Sequence, residues 1–459
     1  MNKNHKVVIA GMPMVNTPNE PLAAPAVLKA SLERVGITTV GIDINIEVIN
    51  KIRSHPNSKD IFNFFYNEIS EDWVTEQVTI IIRYIAERIL EYKPTLIGLS
   101  LLTYECQVCT KWTCAVLREL APDIPIIIGG PGIRNVVGDS DCSFRSMMLD
   151  KGLIDAFIEG DGDLALIEYV NGNTDYPGIN NNEWKTIELE SLPTPNYDDY
   201  NFWQYGALQL PIIDSKGCVR NCEFCDVIEF WSKFSNRSSE HLFKEMLVQS
   251  KKYNIRNFDM RSSISNGNLK EFKKTMEMIS DYNTGKYHSE QFSYNCSFII
   301  RKSGQHPEDL WDKMSGANCT LAMGVESVIP HVRKDLGKWF ENPDIDYHLM
   351  MSKKYNIGVN LMIITGYPTE TEDDWEETKQ WFLDHTQYNK TIKRLFLTPA
   401  TILPGTSLQR NREEYGIIST TEGPDSKWYT KNISYDKRMA YHSELVKLVT
   451  SNGFNLNAY

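Results

Sequence analysis

Strand-like and helix-like segments alternate twice along this 459-residue chain, which restricts it to folds in which helices cover parallel sheets. In the first third, residues 6–10 form a short apolar run that ends at Gly11. Residues 24–35 carry Val27, Leu28, Leu32 and Val35 at helical spacing and stop at Gly36, a C-cap signal. Strands follow at 38–44, 96–102 and 124–128, with a strongly periodic helix at 79–92 and a polar, aromatic-spotted insertion before it. The last of these strands runs into Gly129, Gly130, Pro131 and Gly132. In an open α/β sheet, ligands sit beyond the carboxyl ends of the strands, where such loops fall. The stretch 171–200 is rich in Asn, Asp and Pro and has little periodicity, so it reads as a linker. Six more strands are expected at 208–213, 257–260, 292–299, 319–324, 359–365 and 395–399, with helices between them. That series fits a partial or full α/β barrel. Pro211 interrupts the first of the six, which puts that strand at an edge or the proline near its end. The expected domains are therefore 1–170, a linker at 171–204, a barrel at 205–408 and a helical extension at 409–459.

The nine cysteines are too few and too odd in number for a disulfide scaffold. Three of them, Cys218, Cys222 and Cys225, form C-x3-C-x2-C directly after the 208–213 strand. Three thiolates on one short loop can converge on a single cluster, and thiolate is the ligand that iron–sulfur chemistry prefers. A tetrahedral zinc site would want a fourth ligand from a further Cys or His pair, and none follows at a regular spacing. A four-iron cluster held by three thiolates leaves one iron open to chelate a substrate or cofactor.

This triplet, with the aromatic Phe224 before its last cysteine, resembles the signature of the radical S-adenosylmethionine (radical SAM) superfamily. The resemblance implies a 4Fe–4S cluster on Cys218, Cys222 and Cys225 whose open iron binds SAM. It further implies reductive cleavage of SAM to methionine and a 5′-deoxyadenosyl radical, with Phe224 near the adenine. Other positions match in order. Asp259 and Ser262 end the second strand, where family members carry polar contacts to SAM or substrate. Gly324-Val325-Glu326-Ser327 resembles the family's Gly-(Ile/Val)-Glu-Ser; Glu326 would contact SAM, with Lys334 and Lys338 as basic candidates downstream. Gly366-Tyr367-Pro368-Thr369-Glu370-Thr371 resembles the Gly-x-Pro-Gly-Glu-Thr strand end but has Thr369 where Gly is usual. Leu403-Pro404-Gly405-Thr406 resembles the segment beyond the sixth strand. The match covers roughly residues 205–408.

The whole layout is similar to the cobalamin-binding radical SAM family: a Rossmann-like, flavodoxin-like cobalamin-binding domain, then a partial (β/α)6 TIM-type barrel, then a short helical tail. Met12 in Gly11-Met12-Pro13, Ser100, Gly129, Gly130, and Gly160 and Gly162 in Glu159-Gly160-Asp161-Gly162-Asp163 are the matching cobalamin positions. A hydroxyl and glycine amides can bond a corrin and its nucleotide tail without steric conflict. The Asp-x-His-x-x-Gly motif of cobalamin mutases is absent, and His55 lies in a polar insertion as a surface residue. The resemblance implies an enzyme, specifically cobalamin-dependent methylation of an unactivated carbon or phosphorus. A non-methylating cyclisation or rearrangement and a non-catalytic cofactor-binding protein are the alternatives.

Cys106, Cys109 and Cys114 read as helix packing residues, and Cys142, Cys296 and Cys319 as core. The acidic run from Glu370 to Glu377 reads as a helix amino-terminus and solvated face. The aromatics between Asn196 and Phe234 read as a cofactor platform or as interface packing. Forty-eight Lys and Arg against 60 Asp and Glu leave a net charge of -12 and no basic stripe, which argues against nucleic acid and for a small-molecule, lipid or peptide substrate. No apolar run reaches membrane-span length, and the start lacks a signal-peptide pattern, so a cytoplasmic location is expected. An electron donor such as flavodoxin or ferredoxin is the implied protein partner.

Overall fold

A computed structural model describes residues 5–14, 20–67, 72–134, 143–183, 187–231, 233–260, 262–420 and 425–457. They form two compact units, 1–211 and 212–459. In the first, β1 (Lys6–Gly11), β2 (Thr38–Asp43), β3 (Leu96–Ser100), β4 (Ile126–Gly129) and β5 (Ala156–Ile158) form one sheet in the order β2-β1-β3-β4-β5. All neighbours pair in parallel.

Strand alternation feeds two cores. Val8, Ala10, Ile97, Leu99, Ile126 and Ile128 join one face, while Val7, Ile9, Leu96, Ile127 and Ile158 join the other. Because helices cover both faces, these strands are continuously apolar rather than alternating.

The expected polar insertion before residue 79 is instead helical: Ile44–Arg53, Ser58–Asn67 and the start of Asp72–Leu90. Asp43 caps the first of these, its Oδ1 accepting the Ile46 N–H at 3.2 Å. The buried stripe Ile44, Val48, Ile49, Ile52, Ile61, Phe64 and Phe65 is hidden in the sequence by charged residues on the outer faces.

The Asn- and Pro-rich segment after residue 170 packs on this unit with only two short 3-10 turns, Leu189–Ser191 and Phe202–Gln204. Ile179 bridges to Ile158, Tyr200 Oη donates to the Leu22 carbonyl at 2.8 Å, and Tyr205 Oη donates to the Asp43 carboxylate at 2.8 Å. Tyr197 and Tyr200 meet edge to face at 5.2 Å, so these aromatics are packing groups; Trp203 alone among them is 91% exposed.

The second unit contains β6 (Gln209–Ile212, straddling the boundary), β7 (Ser215–Lys216), β8 (Ser235–Asn236), β9 (Asn257–Met260), β10 (Ser293–Phe298), β11 (Cys319–Glu326), β12 (Gly358–Thr365) and β13 (Ile392–Pro399). Its main sheet has the order β13-β12-β11-β10-β9-β6, and the printed pairings from β9 through β13 are parallel. Pro211 therefore sits on an edge strand, where its missing N–H interrupts nothing.

The other edge, β13, is covered by the chain's last described residues. After the helix Tyr435–Ser451, Asn455 O accepts the Leu395 N–H at 2.8 Å and Asn457 N donates back to Leu395 O at 2.9 Å. Along β10 to β12 the pleat buries Tyr294, Cys296, Phe298, Leu321, Met323, Leu361 and Ile363. Asn295, Ser297, Thr320, Ala322, Asn360 and Met362 stay partly open on the opposite face.

Beneath Phe298, the imidazoles of His306 and His348 lie 5.2 Å apart, both buried. Burial, then the His348 and Arg301 charges, pushes His306 down to about 3, and burial lowers His348 in the same direction. An unfolded histidine titrates near pH 6.5. Above that pH neither state is protonated and the packing contribution is intact; as pH falls towards 3 the unfolded chain binds more protons and stability is lost. We expect the urea midpoint to drop between pH 7 and pH 5, and to drop less in His306→Leu. Equal pH dependence of the two proteins would count against this account.

Candidate active site

Beyond β6, the two-residue strands β7 and β8 pair antiparallel and pinch off the loop that carries the cysteine triplet. Gly217 forms its neck at φ +73°, and a Cβ there would lie 2.5 Å from the Lys233 carbonyl oxygen, so only glycine fits. Within the loop, Cys225 N donates to Cys222 O at 3.1 Å. Two distant segments fix it from outside: Glu223 N donates to Leu336 O at 3.3 Å, and Leu408 N donates to Glu223 O at 2.7 Å.

Cys218, Cys222 and Cys225 are half-buried, whereas Cys106, Cys109, Cys114, Cys296 and Cys319 are fully buried. Burial raises the Cys222 thiol and raises Cys225 to about 12, so these two sulfurs need a bound cation to ionise near neutrality. Among the described residues no group of three His, Cys, Asp or Glu is arranged for a single metal ion. Three thiols on one loop with no fourth Cys or His beside them in the sequence suit an iron–sulfur cluster better than tetrahedral zinc.

The other cysteines pack. The Cys106, Cys109 and Cys114 thiols are all raised by burial in the first unit's core, Cys106 to about 11 and Cys114 to about 12. Cys296 and Cys319 place their sulfurs 3.7 Å apart between β10 and β11. Cys142 lies outside the described residues.

Around the loop, β11 ends in a register shift between Gly324 and Glu326, and Glu326 takes φ +63°, a left-handed conformation that a non-glycine residue rarely adopts. The buried Glu326 carboxylate accepts from Lys338 Nζ at 3.1 Å, and the same ammonium donates to Gly324 O at 2.9 Å. A Cβ on Gly324 would come within 2.3 Å of Glu326 Oε1, so the pair needs the glycine. Lys338 also lies 5.8 Å from the Phe224 ring centroid. Four expected residues and one triplet turn therefore meet here, while Lys334 is exposed on the helix Pro330–Asp335.

Asp259 stands on the open face of β9, raised to about 6 by burial despite its bond to Asn295 and the Arg394 charge. Those two partners come from β10 and β13, a constellation that no local motif encodes. The Ser262 and Ser327 hydroxyls serve the backbone: Ser262 Oγ accepts from Asp214 N and Ser215 N, and Ser327 Oγ from Ile329 N.

At the end of β12, Gly366 has φ +69° and Pro368 is half-buried. Glu370 departs from the solvated acidic face expected for it. It is buried, and its Oε2 accepts from Gly366 N at 2.7 Å, Tyr367 N at 3.2 Å and Trp375 Nε1 at 3.1 Å. Burial still outweighs these three donors and holds its carboxyl up at about 8. Arg438, from the carboxyl-terminal helix, occupies the space a Gly366 Cβ would enter.

In the first unit, the order β2-β1-β3-β4-β5 puts the crevice between the carboxyl ends of β1 and β3. Met12 N donates to Ser100 O at 2.9 Å across that point; Met12 is buried and Ser100 partly open. Gly129 has only ordinary contacts at its Cβ position. Gly130 serves backbone packing, because at φ +96° its Cβ would lie 2.4 Å from Leu101 O. Gly160 takes φ +77°, and Gly162 opens the helix Gly162–Val170 against Leu28. Beside them, Arg134, Ser143, Arg145, Glu159 and Asn182 line a cleft of about 240 Å³ in which Glu159 is clamped by both arginines. His55 Nδ1 accepts the Asn57 N–H at 3.1 Å within its own turn.

Residues 212–382 match the Radical SAM superfamily. The fold resembles TsrM, a radical SAM methyltransferase from Kitasatospora setae solved with cobalamin and a 4Fe–4S cluster: TM-score 0.64, 15% identity, 92% of this chain and 78% of that one. It also resembles OxsB, a cobalamin-dependent SAM radical enzyme solved with aqua-cobalamin and SAM: TM-score 0.70, 14% identity, 96% of this chain and 66% of that one. In sequence it is 22% identical over 367 residues to an uncharacterized methyltransferase of Pyrococcus horikoshii, covering 73% of this chain and 72% of the relative. Residues 212–382 are thus a radical SAM domain, which makes the chain an enzyme and implies a 4Fe–4S cluster and SAM. Its fold is similar to those of TsrM and OxsB over more than nine-tenths of this chain.

Glu370 offers a direct check on the strand-end loop. Glu370→Ala orphans three buried N–H donors and is expected to lower the unfolding free energy by about 2–4 kcal/mol, and Glu370→Gln by less. Chemical denaturation at pH 7 measures both; equal losses would refute the hydrogen-bonding role.

Proposed function

We propose that this protein is a cobalamin-dependent radical SAM enzyme that methylates an unactivated carbon or phosphorus of a small molecule, lipid or peptide. The observation that carries the proposal is the loop of three half-buried thiols at the carboxyl ends of a six-stranded α/β sheet, in a chain whose other unit has the β2-β1-β3-β4-β5 order. The sheet order alone is common to many cofactor-binding domains, and the likeness to TsrM and OxsB is what favours cobalamin.

Cys218, Cys222 and Cys225 would hold the cluster, which when bound supplies the electron for reductive cleavage of SAM. Phe224 offers a face for stacking. Glu326, Asp259 and the loop ends at Gly324, Ser327, Gly366 and Pro368 offer a carboxylate pair and backbone groups to orient SAM. The open faces of β9 to β12 carry Asp259, Asn295, Ser297, Thr320 and Asn360, which suit a polar ligand held away from bulk water. Met12, Ser100, Gly129, Gly130, Gly160 and Gly162 would contact cobalamin. The likeness of 38% of the chain to an anaerobic magnesium-protoporphyrin IX monomethyl ester cyclase of Synechocystis supports a second reading, a cyclisation on the same machinery. The net charge of -12 favours a substrate other than nucleic acid. Among the described residues no helix is long and apolar enough to cross a membrane. A cytoplasmic enzyme served by flavodoxin or ferredoxin fits this reading.

Anaerobic purification with iron and cobalt analysis tests the cofactors, and assay of 5′-deoxyadenosine beside S-adenosylhomocysteine tests the reaction. We expect both products from the native chain, and in Cys222→Ala loss of iron together with loss of 5′-deoxyadenosine. Release of 5′-deoxyadenosine without S-adenosylhomocysteine would sink methyl transfer in favour of the cyclisation.

A further inference from the structure

We infer that Lys338 is a positioning residue whose ammonium, clamped by Glu326 and the Gly324 carbonyl against the Cys222–Cys225 turn, makes a bound cluster easier to reduce. This rests on the radical SAM reading. The side chains of Lys338 and Glu326 are 16% and 11% exposed, so solvent screens them poorly.

The backbone leading to Lys338 lies directly on the cysteine loop. Gly337 has φ +78°, and a Cβ there would sit 3.0 Å from Asn221 O and 3.4 Å from Cys222 Cα. Arg333, 1% exposed, ties both ends of this excursion, donating from Nη1 to Ser327 O and from Nε to Phe340 O, each at 2.9 Å. The lysine is therefore a fixed charge, not a mobile surface cation.

Both partners act on the loop with opposite signs. The ammonium lies 5.8 Å from the centroid of the Phe224 ring, inside the Cys222–Cys225 turn, while Glu326 contributes the opposing charge behind it. Reducing the cluster adds one electron, taken from a low-potential one-electron donor, and makes or breaks no bond. A fixed cation beside the sulfurs stabilises that added negative charge, and cluster potentials respond to such local charge and burial.

The test is an anaerobic potentiometric titration of the full chain, reconstituted with iron and sulfide, with dithionite as reductant and EPR as readout. Relative to the native chain, Lys338→Met should shift the midpoint negative, Lys338→Arg should leave it close to native, and Glu326→Gln should shift it positive. If Lys338→Met fails to retain iron, the sign of the Glu326→Gln shift decides. Cluster-loaded variants whose midpoints ignore both substitutions overturn the role of Lys338 alone. A native chain that takes up no iron overturns the radical SAM reading beneath it, and the inference with that.

Discussion

Parallel strand pairing is the constraint from which the rest of this structure follows. When neighbouring strands run the same way, every connection must cross back over a face of the sheet, so helices cover it and the strands are apolar throughout. The same geometry gathers every strand's carboxyl end along one edge. In the second unit that edge receives the cysteine loop after β6 and β7, Asp259 on β9, Glu326 on β11 and the Gly366 turn after β12. In the first it receives Met12, Ser100, Gly129 and Gly160. Residues hundreds of positions apart become neighbours because the strands share a direction.

At the site itself, backbone departures and buried charges are arranged together. Glu326 holds a left-handed conformation where β11 slips register, and the cation that pairs with it returns from twelve residues downstream. Gly324, Gly217 and Gly337 each sit where a Cβ would strike a neighbour, so the loop, the pair and the turn approach more closely than side chains would permit. Glu370 does comparable work after β12, drawing three N–H groups onto one oxygen. Strain and buried polarity of this kind persist when surrounding packing over-determines them, and they concentrate where ligands are held.

Much of this was legible in the chain. The strands of the barrel series lie within a few residues of their expected positions, and Asn257–Met260 matches at both ends. The helices Ile44–Arg53 and Ser58–Asn67 were not legible, because charged outer faces break up their apolar stripe. The packing of the segment after residue 170 rests on single hydroxyl and carboxylate bonds, such as Tyr205 to Asp43, which carry no periodicity. Glu370 looked like one more acid in a solvated run, since burial cannot be read from an acidic neighbourhood.

The sequence by itself determined the class of chemistry. C-x3-C-x2-C after a strand puts three thiols on one loop, because ligand type and loop spacing are local properties. Alternating apolar periods determined the α/β architecture for the same reason. Only the tertiary structure decided which acids are buried and by what they are held, that Lys338 rather than Lys334 reaches Glu326, and that the carboxyl-terminal segment covers β13. Those outcomes depend on burial and on contacts between residues far apart in the chain, and a linear pattern encodes neither.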